Sequence, residues 1–342
     1  MLAFSLVVTT VSVTILGYLT VQAVLQQPIN PVASAAQDVL NVNLPPLEQD
    51  GPAPVETLAP NEAAPTVLPT QVPWQDSNRL NILLMGIDRR PGEPFISRTD
   101  SIMLISFNPE TEEISVLSIP RDLYVVIPGR GRDRINTAFV YGASGSDPAA
   151  GAALAMQTVS YNLGVNVDHY VLVDFSAVIQ SVDAIGGIDV NVPFEIYDPT
   201  YPDMNYGFDP LHIPAGLQHL NGEMALKYAR TRHVDNDFGR AARQQQVLMA
   251  VRSKALSLGV TDMLTQAPFL WQQLREGVRT DLSYEQMLQL AKSVSTIPDE
   301  NFRTAVLNYD YVVSYRTDAG ASVLVLINDR AAALIQEMFY DE

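Results

Sequence analysis

Asn81-Ile-Leu-Leu-Met-Gly86 is a short apolar run that ends in glycine. A continuous apolar run bounded by a turn residue reads as a strand covered on both faces. Ser101-Ile-Met-Leu-Ile-Ser-Phe107 reads the same way, with Asn108-Pro109 as the turn that ends it. Glu113-Ile-Ser-Val-Leu-Ser-Ile119 follows and stops at Pro120. The second and third runs are close enough in sequence to pair as a hairpin.

Outward from these strands, Ala149 to Leu163 has the pattern of a helix stopped by Gly164. His169 to Val173 reads as a strand, Phe175 to Ile185 as a helix stopped by Gly186-Gly187, and Ile188 to Val192 as a strand. Pro193 to Gly216, rich in Pro, Tyr and Asp, is expected to be irregular, a mobile flap. Gly222 to Arg230 and Arg240 to Ser257 are expected helices. Phe302 to Leu307 and Asn328 to Met338 add a strand and a helix. Strands that alternate with helices imply an α/β fold, a mixed central sheet flanked by helices in an αβα sandwich.

Residues 1–26 carry no charge and are long enough to span a bilayer core, which takes about 20 residues. A transmembrane anchor is expected, with a cleavable signal peptide as the other reading. Val21-Gln22-Ala23 is a weak cleavage pattern, and a basic leader is missing because Arg79 is the first cationic side chain. Residues 27–77 hold ten of the 23 prolines, six acidic residues, no basic ones and one glycine. Such a segment buries too little to fold and reads as a linker. Fully extended at about 3.1 Å per residue, it reaches on the order of 150 Å. The folded part is then 78–258, with 259–342 as an extension expected to belong to the same domain.

The chain has no cysteine, so it has neither a disulfide nor a thiolate metal site. Its formal net charge of −17 argues against a nucleic-acid surface, which needs a basic stripe. Against that background 18 of the 21 basic residues are arginine. The densest group lies in Tyr228-Ala-Arg-Thr-Arg232 and Asp237-Phe-Gly-Arg-Ala-Ala-Arg-Gln-Gln245. A guanidinium is a planar, permanently charged fork that matches phosphate bidentately. Arg230 and Arg232 close one helix, where a cation complements the dipole. Arg240 and Arg243 are expected to open the next, at an end that attracts anions. An anion held between them explains that placement. A salt-bridge network with Asp235 and Asp237 is the alternative. Arg240, Arg243 and Gln244 share one helical face by their spacing.

A second constellation sits at the expected strand ends. Asp88 follows the first strand in Gly86-Ile-Asp-Arg-Arg90, and Asp100 precedes the second in Arg98-Thr-Asp-Ser101. If those strands are neighbours, the carboxylates come to one sheet edge. Two carboxylates with water and phosphate oxygens suit Mg²⁺, with Mn²⁺ as a substitute. Arg98 and Arg121, the latter in Ser118-Ile-Pro-Arg-Asp122, add positive charge at the same strand ends. Surface turns capped by Asp and paired with Arg are the plainer reading. Val159, Leu163, Val171, Val173, Val178 and Ile185 read as core, or as the lining of a tunnel for an apolar chain.

These motifs, with Arg134-Ile-Asn-Thr-Ala138, Val182-Asp-Ala-Ile-Gly-Gly-Ile-Asp-Val-Asn-Val192 and Leu220-Asn-Gly-Glu-Met-Ala-Leu-Lys-Tyr-Ala-Arg-Thr-Arg232, together resemble the LytR-CpsA-Psr family. They run in order from Asn81 to Val251. The resemblance implies a membrane-anchored, extracytoplasmic, Mg²⁺-dependent phosphotransferase. It would move a glycopolymer from a polyprenyl diphosphate carrier to peptidoglycan or a similar acceptor. It assigns Asp88 and Asp100 to the metal and to catalysis, with either one as the base. It assigns Arg98, Arg121, Arg230, Arg232, Arg240 and Gln244 to the diphosphate, with Arg121 also catalytic. Arg243 joins that set by helical spacing. The family usually carries lysine where Arg134 stands. A polyprenyl diphosphate hydrolase and a non-catalytic lipid-diphosphate binding module are the alternatives on the same residues. Transcriptional attenuation fits an anchor, a long linker and the acidic charge poorly.

Overall fold

The computed structural model describes residues 79–340 apart from 90–91, 204–206, 233, 259–270 and 273. The anchor expected at 1–26 and the linker expected at 27–77 lie outside the described residues. No helix among the described residues is long and apolar enough to cross a membrane.

In chain order the first elements are β1 (Leu80–Ile87), β2 (Thr99–Asn108), β3 (Glu113–Ile119), β4 (Tyr124–Ile127), β5 (Gly131–Arg134), α1 (Ala138–Gly142), α2 (Pro148–Leu163) and β6 (His169–Asp174). Then come α3 (Phe175–Ala184), β7 (Ile188–Val192), β8 (Ile196–Asp198), β9 (Leu211–Ile213), β10 (Gly216–Leu220), α4 (Gly222–Arg230) and α5 (Asp237–Ser257). The rest are β11 (Val278–Thr280), α6 (Tyr284–Ser295), β12 (Phe302–Val306), β13 (Val312–Arg316), β14 (Ser322–Leu326) and α7 (Asn328–Phe339). They form a mixed central sheet flanked by helices. The chain divides into two compact units.

The sheet unit holds the described residues up to Asp174, Arg279–Asp281 and the chain from Arg303 onward. Its six strands run in the order β11-β6-β1-β2-β3-β12. β1 pairs parallel with β6 and antiparallel with β2, and β2 pairs antiparallel with β3. β1 is central, which is why its sequence is an unbroken apolar run. Ile82, Leu83, Leu84 and Met85 are each at most 1% exposed. Removing one such side chain to alanine costs about 2–5 kcal/mol. The β2–β3 turn is built by Asn108, whose Oδ1 accepts from the amides of Glu110 and Thr111 at 2.9 and 3.3 Å. Helix α2 starts on Asp147, which accepts from Ala149 N, with Pro148 in its first turn, and ends at Gly164 with φ +69°. Both edge strands, β11 and β12, come from beyond residue 258, so the C-terminal segment completes the sheet.

The second unit holds Phe175–Val278 and Leu282–Phe302. Asn221 caps α4 by accepting from Met224 N at 2.9 Å. Gly222 lets α4 approach α3, since a Cβ there would strike the carbonyl of Ile179. The segment from Pro193 to Gly216, expected to be irregular, carries a short hairpin among its described residues. β8 and β9 pair antiparallel with Ile196 opposite Ile213, and Pro202 bridges to Phe208. Ile196, Asp198, Leu211 and Ile213 are buried while Tyr197 and His212 are exposed. Three-residue strands are too short to show that alternation as a sequence pattern. The six apolar residues proposed as core or tunnel lining are all buried, at 5% exposure or less.

Candidate functional site

The sheet unit gathers the first constellation at one end of the β1–β2 pair. Gly86 pairs with Ser101, but the next residue, Ile87, pairs with Thr99. Asp100 is therefore the extra residue of a β-bulge, a device that re-aims a side chain and bends its strand. Asp88 is the first residue past β1 and is exposed. The two carboxylates thus stand at the same end of adjacent strands, as the motif positions anticipated. Arg121 Nη1 donates to Asp100 Oδ1 at 3.0 Å, and both side chains keep solvent access. Arg98 is exposed close to Asp100 in sequence.

The same end carries further charged residues that have no role in the expected site. Arg121 Nε also lies 3.5 Å from Asp122 Oδ2, and Asp122 Oδ1 lies 3.0 Å from Arg134 Nε. Asp133 accepts from the hydroxyl of Tyr141. Burial pushes the Asp133 carboxyl up, but that hydrogen bond, the Arg134 amide, Thr137 and the Arg134 charge together hold it below its ordinary value. The loop between β1 and β2 is pinned by Phe95, which has the Arg89 and Arg279 guanidiniums each 4.0 Å from its ring centroid. At that distance each guanidinium is attracted by the quadrupole of the ring. Arg89 also pairs with buried Asp174 at the end of β6. Arg279 comes from β11, far beyond the motif region, so no local pattern ties it to this loop.

The second constellation lies in the other unit, on the α4–α5 hairpin. Helix α5 begins at Asp237, earlier than expected, with Asn236 accepting from the amides of Phe238 and Gly239. Its positive end is thus met by an acidic first residue and a capping side chain. Arg240 sits one turn in and pairs with Asp237 at 3.0 Å. Arg232, largely exposed, lies 3.7 Å from the same carboxylate. Arg230 stacks on Phe175 at 4.0 Å and donates to the hydroxyl of Tyr201 at 3.2 Å. Between these two arginines, Thr231 Oγ1 donates to fully buried Asp198 at 2.7 Å. Phe175, Tyr201 and Asp198 left no signal in the sequence.

Arg243 requires a correction. Helical spacing groups it with the ligand-facing arginines, but its side chain is completely buried. Its Nε donates to Tyr228 O at 2.9 Å, and its remaining edge meets Thr231 O and the buried Asp235 carboxylate. Gln244 Nε2 donates to Ala229 O at 3.2 Å. The last carbonyls of a helix lack intrahelical partners. The shared face of α5 satisfies those of α4. Gly239 makes this possible, because a Cβ there would occupy the place of the Asp235 carboxylate. The salt-bridge network with Asp235 and Asp237 therefore exists within the hairpin, and Arg243 serves it from inside.

The described residues contain no group of three or more His, Asp or Glu side chains able to hold a metal. Asp88 and Asp100 fit a magnesium ion that completes its shell with phosphate oxygens and water, which is how that ion is commonly held. The accessible carboxylate of Asp100, turned by the bulge, is the feature that supports this fit.

Residues 49–339 match the LytR_cpsA_psr family. The chain is 35% identical over 219 residues to a polyisoprenyl-teichoic acid–peptidoglycan teichoic acid transferase, TagU, of Oceanobacillus iheyensis, a match that covers 64% of this chain and 63% of that relative. The chain therefore spans less than two thirds of that relative's length. Among solved structures, TagT bound to LI-WTA superposes with a TM-score of 0.60 at 27% identity, over 76% of this chain and 89% of the other. TagV of B. subtilis does so with a TM-score of 0.60 at 26% identity, over 77% and 98%. With the motif order, the matched span and the shared fold in agreement, the chain belongs to the LytR-CpsA-Psr family.

Proposed function

We propose that this protein is a phosphotransferase that moves a glycopolymer from a polyprenyl diphosphate carrier to peptidoglycan or a related cell-envelope acceptor. The names of its relatives support a transferase of this class. The observation that carries the reading is the bulge at Asp100. It puts that carboxylate on Arg121, at the same end of the β1–β2 pair as Asp88.

An acceptor hydroxyl attacks the phosphorus that bears the glycan. A P–O bond forms to the acceptor, and the P–O bond to polyprenyl phosphate breaks. Asp88, exposed at the strand end, takes the hydroxyl proton. Asp100 is the principal metal-facing carboxylate. Bound magnesium would supply Lewis-acid neutralisation of diphosphate oxygens. Arg121 turns its Nη edge from Asp100 to the phosphate as charge builds on the leaving group. In this reading Arg98, Arg230, Arg232, Arg240 and Gln244 are diphosphate ligands. Phosphoryl transfer asks mainly for positioning and charge stabilisation, which guanidiniums held by fixed partners provide. The apolar segment 1–26 anchors the chain in the membrane, and the catalytic part lies outside the cytoplasm.

The test is release of polyprenyl phosphate from a polyprenyl-diphosphate-linked saccharide, with peptidoglycan and magnesium present. Release that requires the acceptor and is lost in Asp88→Asn supports the proposal. Release independent of the acceptor identifies a hydrolase. Tight binding without turnover identifies a binding module.

A further inference from the structure

Arg121 stands between two carboxylates. Its Nη1 donates to Asp100 at 3.0 Å, and its Nε lies 3.5 Å from Asp122. Asp122 in turn lies 3.0 Å from Arg134 Nε, and Arg134 Nη2 donates to the carbonyl of Ser322 at 2.8 Å. The backbone repeats the connection. Leu324 N donates to Asp122 O at 3.0 Å, and Leu123 bridges in parallel to Leu324. On the other side, Asn136 N donates to Arg121 O and Ile135 N to Leu123 O. The β13–β14 hairpin is itself steadied by an apolar cluster of Tyr315, Val323 and Val325, against which Tyr124 of β4 packs.

We propose that Asp122 is the pivot of Arg121, and that the C-terminal hairpin β13–β14 holds this pivot in place through Arg134. A guanidinium offers five donors in a rigid fork, so one edge can stay bound while the other changes partner. With Nε kept on Asp122, the Nη edge exchanges Asp100 for a substrate phosphate without a free search by the side chain. The Arg134 guanidinium holds the Asp122 carboxylate aimed at Arg121, and Ser322 O fixes the Arg134 head. Asp122 and Arg134 are positioning residues, and they give the C-terminal segment a role in the site. This rests on the phosphotransferase reading above.

The experiment compares Asp122→Asn, Arg134→Met and Arg134→Lys in the full chain, with Asp88→Asn as reference, by the same release assay and by thermal melting. Asp122→Asn should lower kcat by about 10- to 100-fold with KM little changed, the scale on which misplacement of a site group acts. Arg134→Met should show the same split. Arg134→Lys should restore kcat, because an ammonium still reaches Asp122. A wild-type kcat in folded Asp122→Asn or in Arg134→Met overturns the pivot. So does a lysine variant no better than methionine, which would show that the head group's charge is irrelevant. If Asp122→Asn melts below the assay temperature, the Arg134 pair decides alone. Release that does not require the acceptor instead defeats the phosphotransferase reading, whereas the pivot stands or falls on the Asp122 and Arg134 variants.

Discussion

Arg243 and Asp235 form an ion pair in which neither side chain has any solvent exposure. The pair lies under the turn between α4 and α5, and Arg243 also ties down Tyr228 O and Thr231 O. Removing one member leaves a buried charge uncompensated. Arg243→Ala should therefore lower unfolding free energy by about 3–5 kcal/mol, read by denaturant titration. The double variant Arg243→Met with Asp235→Leu should recover much of that loss. A single variant as stable as the wild type would contradict the structural role.

Arg232 presents the opposite case. Its side chain is 42% exposed and 3.7 Å from Asp237, so its ion pair adds little stability. Arg232→Ala should stay within about 0.5 kcal/mol of wild-type stability. It should lose about 2–4 kcal/mol of transition-state stabilisation in kcat/KM. Wild-type turnover would remove Arg232 from the diphosphate set.

Chelation should stop turnover, and added magnesium should restore it. Asp100→Asn should lose about two orders of magnitude or more in kcat, as several kcal/mol of Lewis-acid stabilisation would require. Its melting temperature should change little, because the carboxylate is accessible and its ion pair with Arg121 is partly exposed. Full activity of this variant in chelator would exclude the metal role of Asp100.

Tyr141→Phe tests the pH dependence of the Asp133 pair. The Asp133 carboxyl is held below its ordinary value of 3.8. A depressed folded value contributes stability above the unfolded value and loses it as pH falls through the folded one. The hydroxyl's contribution should be about 1 kcal/mol at neutral pH, discounted for partial exposure. The difference between wild type and variant should shrink as pH falls through the folded value and Asp133 becomes protonated in both. A difference that stays constant into acid would show that the charge on Asp133 is not its source.

Much of the sheet is legible in the sequence. A strand covered on both faces must be apolar throughout, so the runs at Asn81–Gly86 and Ser101–Phe107 announced themselves. Helix ends were legible where chemistry is local, as at Gly164 and at Gly186-Gly187. The short strands β8 and β9, the β4–β5 hairpin and β13–β14 were not, because so few residues carry no period.

The site divides in the same way. The chain by itself determined which residue types stand at the strand ends and on the arginine hairpin, and the order of motifs that marks the family. Tertiary structure decided where each charge points. Asp100 became the bulged residue only through its pairing with β1, a matter of register between distant segments. Spacing placed Arg240, Arg243 and Gln244 on one helical face. Whether that face met solvent or the open carbonyls of α4 depended on a neighbouring helix. Partners of Arg134 and Phe95 came from segments beyond the motif region, at Ser322 and at Arg279. Local sequence encodes charge and period, but the partner of a charge is set by packing between segments that are far apart in the chain.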